Sequence, residues 1–168
     1  MPRILVVYFS RSGHTRQVAV QIAASVGADL EEIVDPTPRS GLFGYLRCGR
    51  EAYFKRLPPI ADAVRNAADY DLVIVGSPIW NASLSAPVRS YLRRYRAAMH
   101  DVAFFLTCGG FGIERALQQM VDESGRLPLA RLTVRERDLG TLSMSGRIGD
   151  FVAEVQAAVT RTRVAQPA

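Results

Sequence analysis

Cysteine and histidine are scarce in this sequence, and no long hydrophobic run is present. The 168 residues include two histidines and two cysteines, Cys48 and Cys108, which form no CxxC pair. This spacing indicates neither a zinc site nor a disulfide framework. No window is both long and uncharged enough to span a bilayer, and the first apolar run is too short to resemble a secretory signal. We therefore expect a cytoplasmic protein with reduced thiols and no membrane span.

Acidic residues are fewer than basic ones. The chain has 21 Lys and Arg against 16 Asp and Glu, which gives a formal net charge of +5. The basic residues are spread over predicted helices rather than gathered in one run, so we expect no nucleic-acid partner. The excess positive charge is compatible with an anionic small molecule or an acidic protein partner.

The apolar runs predict a parallel sheet. Uncharged runs at residues 4–9, 72–76 and 102–107 are typical of strands buried on both faces. Runs at 30–34 and 132–137 mix apolar and charged residues, which is typical of edge strands. Helical spacing separates these strands, with apolar stripes at 18–26, 88–95, 113–120 and 148–159. The alternation predicts a single α/β domain over residues 1–168, a three-layer sandwich with a five-stranded parallel sheet in the order 2-1-3-4-5.

One segment is longer than a minimal strand–helix connection. Residues 40–58 carry apolar residues at helical spacing and predict an insertion helix, which either covers the sheet, caps a ligand or forms an interface with a partner. A second helix is predicted at 61–68, and the tail at 161–168 is predicted to be frayed. The basic residues of the insertion that are candidates for partner binding are Arg47, Arg50, Lys55 and Arg56.

Small and polar residues follow the first predicted strand and precede a helix. Backbone N–H groups at a helix N-terminus, with hydroxyl groups around them, form an anion site, although Ser12 or Thr15 could instead serve only as a helix cap. The segment is neither GxGxxG nor a P-loop, which argues against a dinucleotide pyrophosphate or a triphosphate at this position. The candidate anion-binding residues are Ser10, Arg11, Ser12, Gly13, His14 and Thr15.

Aromatic and glycine-rich segments follow the third and fourth of these predicted strands. Ligands of open parallel sheets bind at the carboxyl ends of the strands, where the strand order reverses. Trp80, the one tryptophan, and Phe111 are therefore candidates for contacting a flat ligand, with packing in the core as the alternative for each. The candidate residues are Pro78, Ile79, Trp80 and Asn81 after the third strand, and Thr107, Cys108, Gly109, Gly110, Phe111 and Gly112 after the fourth. Together with the anion segment, they predict a site for an aromatic ligand bearing one phosphate.

The motifs YFSRSGHT, VGSPIW and TCGGFG, in this order after three strands, make the sequence resemble the flavodoxin family. The resemblance covers about residues 3–160 and implies a flavodoxin-like fold with bound FMN, the phosphate in residues 10–15 and the isoalloxazine between residues 78–81 and 108–112. It also implies ring stacking by Trp80 and Phe111. His14 replaces the asparagine of the typical Thr-Gly-Asn-Thr motif, and we interpret it as a phosphate donor rather than an acid–base catalyst.

A flavodoxin-like protein can serve several redox functions. Because the acidic surface of many carrier flavodoxins is missing, we expect an NAD(P)H-dependent flavin or quinone oxidoreductase acting on a small-molecule acceptor. The alternatives are an electron-transfer flavodoxin serving a redox partner protein, a protoporphyrinogen-oxidising relative, or an interaction module without FMN. We assign no catalytic residue and no metal ligand. Cys108 is interpreted as a small buried residue rather than a redox nucleophile. The sequence leaves open whether the protein forms a homodimer.

Overall fold

The strands form one sheet with its hydrophobic members at the centre. A computed structural model describes residues 2–36 and 57–165. The strands are β1 (Ile4–Tyr8), β2 (Asp29–Glu32), β3 (Leu72–Trp80), β4 (Ser83–Leu84), β5 (Asp101–Cys108) and β6 (Arg131–Arg135). The parallel strands follow the order β2-β1-β3-β5-β6, and β4 pairs antiparallel with β3. Apart from β4, this is the predicted order, with the charged strands β2 and β6 at the edges.

Strand β3 extends beyond its predicted end and turns back on itself. The prediction ended this strand at residue 76 and assigned the next residues to a loop, whereas β3 continues to Trp80 and forms a hairpin with β4. Trp80 pairs with Ser83, so the hairpin has a two-residue turn formed by Asn81 and Ala82. The tryptophan is therefore held at the end of a paired strand rather than in an irregular loop.

In the part of the chain that the structure describes, four α-helices cover the sheet. They are α1 (His14–Val26), α2 (Ala86–Tyr95), α3 (Ile113–Ser124) and α4 (Leu142–Ala165). Helix α1 begins after Gly13, at φ 91°, and α3 begins after Gly112, at φ 81°; both angles lie in the left-handed region that favours glycine. Pro87 lies in the first turn of α2, where its missing N–H costs no helical hydrogen bond. The predicted apolar stripes coincide with these four helices.

Two hydrophobic cores lie on opposite faces of the sheet. One core contains Val18 and Ile22 of α1 with Phe151 and Val155 of α4. The other lies beneath α2 and α3 and includes Leu92. Side chains alternate between the two faces along each central strand, so both faces are apolar. This explains why the central strands appear in the sequence as continuous apolar runs.

The helix predicted at residues 61–68 is wrong; only a short 3-10 turn, Ala67–Asp69, forms there. The backbone donors of this segment bind distant acceptors instead of their own helix. The Glu31 carboxylate accepts the N–H groups of Val64 and Arg65, at 2.8 and 3.0 Å, and the Val34 carbonyl accepts that of Ala61. These long-range bonds replace the i to i−4 pattern that the local sequence predicts.

Two other predictions concern segments at the limits of the described structure. The predicted insertion helix at 40–58 lies outside the described residues except for its last two positions. Helix α4 continues to Ala165, into the segment predicted to be frayed. Within residues 2–36 and 57–165, no helix is long and apolar enough to cross a membrane.

Candidate functional site

Three connections converge at the carboxyl edge of the parallel strands. We call them the β1–α1 loop (residues 9–13), the hairpin turn (residues 81–82) and the β5–α3 loop (residues 109–112). Each follows a central strand, and parallel strands end at the same edge of a sheet. The predicted site residues therefore lie on one side of the molecule.

Three direct contacts hold these connections against one another. The ring of Phe9 meets that of Trp80 edge to face, with 5.6 Å between centroids. The hairpin turn lies directly against the β5–α3 loop, since a Cβ added to Gly112 would stand 2.3 Å from the Ala82 Cα. Beneath the loops, the hydroxyl groups of Thr15 and Thr107 are hydrogen-bonded at 2.8 Å. Each connection is thus tied to the other two.

The β1–α1 loop presents an uncapped helix N-terminus. Helix α1 has no side-chain cap and no acidic residue in its first turn. The Ser10 Oγ accepts the Gly13 N–H at 3.1 Å, which leaves the Ser10 hydroxyl hydrogen free to donate elsewhere. A Cβ added at Gly13 would meet no atom within 4 Å, so the loop faces open space. The loop therefore combines the positive end of a helix dipole with unobstructed backbone, which suits an anion.

The predicted anion-binding residues divide into two groups. Arg11, Ser12 and Gly13 are exposed and Ser10 is half-buried, so these four surround the open space. Thr15 is 1% exposed and its hydroxyl is bonded to Thr107. The contact makes Thr15 a link between α1 and the end of β5.

His14 has a neighbour that the sequence did not reveal. Its Nδ1 lies 3.5 Å from a carboxylate oxygen of Glu136, which follows β6 in a short 3-10 turn. This nitrogen is buried and makes no hydrogen bond. The two residues are far apart in sequence, and no motif connects them. Glu136 therefore adds a negative charge beside the first residue of α1.

Trp80 belongs partly to the core and partly to the edge of the site. Pro78, Ile79 and Trp80 are half-buried, and Ile79 and Trp80 pack against the core beneath α2 and α3. Asn81 is exposed. Trp80 therefore packs partly in the core and keeps part of its surface accessible.

The β5–α3 loop contains the most exposed aromatic ring of the site. Phe111 is 71% exposed, so it is not a core residue. Gly109 and Gly110 are also exposed, and a Cβ added at either would meet no atom within 4 Å. The ring and the glycine backbone can therefore contact a ligand directly.

Cys108 lies behind this loop rather than in its open face. The side chain is 1% exposed, and it has no disulfide partner among residues 2–36 and 57–165. Burial raises the pKa of the Cys108 thiol, and a hydrogen bond with the Gly110 backbone opposes the shift in part. A protonated, buried thiol is a poor nucleophile, so the geometry agrees with a packing role.

Comparison with known proteins identifies relatives of this chain. The chain is 30% identical over 128 residues to an NAD(P)H dehydrogenase (quinone) from Caulobacter vibrioides, an alignment that covers 72% of the chain and 54% of that protein. The chain thus spans about half the length of the curated relatives that it matches.

Solved structures share the fold at low identity. A flavoprotein in complex with FMN from Lactobacillus acidophilus is 20% identical with a TM-score of 0.70, covering 82% of this chain and 95% of that one. A WrbA-like flavodoxin from Agrobacterium tumefaciens is 14% identical with a TM-score of 0.61, covering 96% and 99%. The family profile described as Flavodoxin matches residues 3–131, well over half of the sequence. With this match and the strand order described above, the chain belongs to the flavodoxin family.

Proposed function

We propose that the three connections bind FMN. The residues fit this group: the uncapped N-terminus of α1 suits its phosphate, and half-buried Trp80 and exposed Phe111 can contact a flat ring. The observation that carries the proposal is the mutual contact of the three connections, because it brings an anion site and two aromatic residues to one edge. The similar fold of the Lactobacillus flavoprotein, whose structure contains FMN, supports it.

Each predicted residue has a part in this proposal. The residues assigned to the phosphate are Ser10, Arg11, Ser12, Gly13, His14 and Thr15, the last through its support of the loop. Those assigned to the ring are Pro78, Ile79, Trp80 and Asn81 on one side, and Thr107, Cys108, Gly109, Gly110, Phe111 and Gly112 on the other. Of these, the buried Thr107 and Cys108 support the loop from beneath rather than touch the ring. We assign the bonds to the ring edge to the backbone of Gly109 and Gly110, and the exposure of both residues supports this assignment.

The proposed reaction is NAD(P)H-dependent reduction of a quinone. The name of the Caulobacter relative supports this activity, and the net charge of +5 favours approach of an anionic dinucleotide. When bound, FMN supplies the capacity to take two electrons from a nicotinamide and pass them to an acceptor. The chain's own residues hold the phosphate and orient the ring between Trp80 and Phe111, and the exposure of Phe111 puts that end of the site next to solvent.

Selective binding tests the cofactor assignment. Purified full-length protein is titrated with FMN and, separately, with riboflavin, which lacks the phosphate. We expect FMN to bind at least about tenfold more tightly, since charge-assisted bonds to the phosphate are each worth roughly 1.5–3 kcal/mol. Equal affinities would contradict the phosphate assignment, and a protein that binds neither compound would refute the proposed site.

Reduction by nicotinamides tests the reaction. The FMN-loaded protein is mixed anaerobically with NADH or NADPH, and the visible flavin absorbance is followed before and after a quinone is added. We expect rapid bleaching and recovery of the absorbance on adding quinone. A protein that is bleached only when a partner reductase is present would instead be an electron carrier.

A further inference from the structure

The buried side chain of Gln119 anchors the hairpin that carries Trp80. Gln119 lies on α3 and is 6% exposed. Its Oε1 accepts the Ser83 hydroxyl at 2.9 Å and the Leu84 N–H at 2.8 Å. Both donors belong to β4, and Ser83 is the direct pairing partner of Trp80. The amide oxygen of Gln119 thus fixes the strand against which the tryptophan backbone is paired.

The buried guanidinium group of Arg89 hydrogen-bonds to the Gln119 side-chain amide. Arg89 of α2 is 0% exposed, and its Nη2 donates to the Gln119 Oε1 at 3.2 Å and to the Leu84 carbonyl at 3.5 Å. Its Nε lies 3.4 Å from the Oε1 of Glu123. The other oxygen of that carboxylate, Oε2, accepts a hydrogen bond from the Arg93 Nε at 2.8 Å. Burial lowers the pKa of Arg89, and the negative charge of Glu123 opposes the shift. The ionic network therefore holds α2, α3 and β4 in one arrangement.

The turn between Trp80 and Ser83 needs such support. Asn81 and Ala82 have φ angles of 48° and 55°, as a type I′ turn requires. Glycine is favoured in such turns, and an alanine in the left-handed region costs roughly 1–2 kcal/mol. Asn81 tolerates this conformation, but Ala82 does not favour it, so contacts from outside the hairpin help to hold the turn.

We propose that Gln119 is a positioning residue that sets the orientation of Trp80 in the ring site, with Arg89 holding the Gln119 amide in place. The proposal rests on the proposed function in taking Trp80 as a ring contact. Gln119 stands behind the hairpin and binds β4, so its effect on a ligand passes through the position of the indole.

The single tryptophan makes the test direct. Since the chain has one Trp, its intrinsic fluorescence reports on Trp80 alone. Two variants are compared with the wild type: Gln119→Leu removes the acceptor at similar volume, whereas Gln119→Glu keeps an acceptor oxygen. The matched control is Gln118→Leu, because Gln118 is the exposed neighbour on the same helix and bonds only locally to Asp122.

We expect Gln119→Leu to shift Trp80 emission to longer wavelength and increase its quenching by acrylamide in the FMN-free protein. FMN affinity should fall about tenfold or more, because part of the binding free energy is then used to return the displaced indole to its bound position. Gln119→Glu should restore both properties to near the wild-type values, and Gln118→Leu should change neither. Should Gln119→Leu fail to fold, Ser83→Ala provides the same test, with a smaller shift in the same direction.

Unchanged Trp80 emission and quenching in the folded Gln119→Leu protein, or in Ser83→Ala in its place, would overturn the positioning role. The fluorescence readout does not depend on the cofactor. A wild-type protein that binds no FMN would therefore refute the proposed function, while the emission of the variants would still decide whether Gln119 positions Trp80.

Discussion

The β1–α1 loop and the β3–β4 hairpin lie at the same edge of the sheet but are held in different ways. In the loop, the Gly13 N–H donates to the nearby Ser10 hydroxyl, and a Cβ added at Gly13 would meet no atom within 4 Å. The hairpin is held by Gln119 from one side and pressed against Gly112 from the other. The difference agrees with the part that we propose for each in FMN binding.

An anion site made of backbone needs little outside support. The N–H groups at the start of α1 are oriented by the helix itself, so a short loop with a glycine is sufficient. An aromatic ring platform depends instead on the position of one side chain, which the local backbone does not determine. The hairpin therefore requires contacts from α2 and α3. We expect substitutions that disturb the hairpin to lower stability or FMN affinity more than substitutions in the loop do.

The largest effect is expected for Gly112→Ala. The new Cβ would stand 2.3 Å from the Ala82 Cα, at a φ of 81° that disfavours alanine. We expect the free energy of unfolding, measured in urea without FMN, to fall by about 2–4 kcal/mol through the combined clash and backbone strain.

Gly109→Ala is the matched control, because a Cβ there meets no atom within 4 Å. It should change stability by no more than about 0.5 kcal/mol. Equal losses in the two variants would mean that the hairpin turn does not press on the β5–α3 loop.

An intermediate effect is expected for Trp80→Ala. Loss of the ring should weaken FMN binding by about 1–3 kcal/mol, by analogy with aromatic stacking on nucleobases. Trp80→Phe keeps an aromatic ring and should retain most of the affinity. Calorimetric titration of the wild type and the two variants with FMN measures these affinities. An unchanged affinity in the alanine variant would assign Trp80 to the core alone.

The smallest effect is expected for Ser10→Ala. This change removes the acceptor of the Gly13 N–H and one hydroxyl donor at the open face of the loop. FMN binding should weaken by about 1.5 kcal/mol, the lower end of the range for a bond to a charged group, while riboflavin affinity stays the same because only FMN carries the phosphate. If both affinities fell equally, the loop would serve the ring or the fold rather than an anion.

Patterns within short stretches predicted much of this molecule. Continuous apolar runs identified the central strands β1, β3 and β5, and runs that mix apolar with charged residues identified the edge strands β2 and β6. A strand buried on both faces is apolar at every position, whereas an edge strand also carries charged residues. The same reasoning placed three loops at one edge. Residue types that suit an anion, such as Ser10 and Gly13, lie close enough in sequence to be recognised together.

Polar residues on the apolar stripe of α3 were a sign of buried side-chain contacts that the sequence analysis missed. Gln119 and Glu123 occur at helical spacing from Ala116 on the apolar stripe of α3, where a polar side chain requires a partner. The sequence shows that polar residues interrupt the apolar stripe, but it does not show which residues they bind. Helix 61–68 was wrongly predicted for a related reason, since Glu31, 33 residues away, takes a backbone donor of that segment.

By itself, the sequence determined the strand order, the two-sided core and the family motifs, because these depend on local periodicity and on which residues follow each strand. Only the tertiary structure decided how the site is held together. The Thr15–Thr107 bond joins residues 92 positions apart, and the Ser83–Gln119 bond joins residues 36 apart. Such contacts depend on the distances between packed elements, which no repeating pattern of residue types encodes.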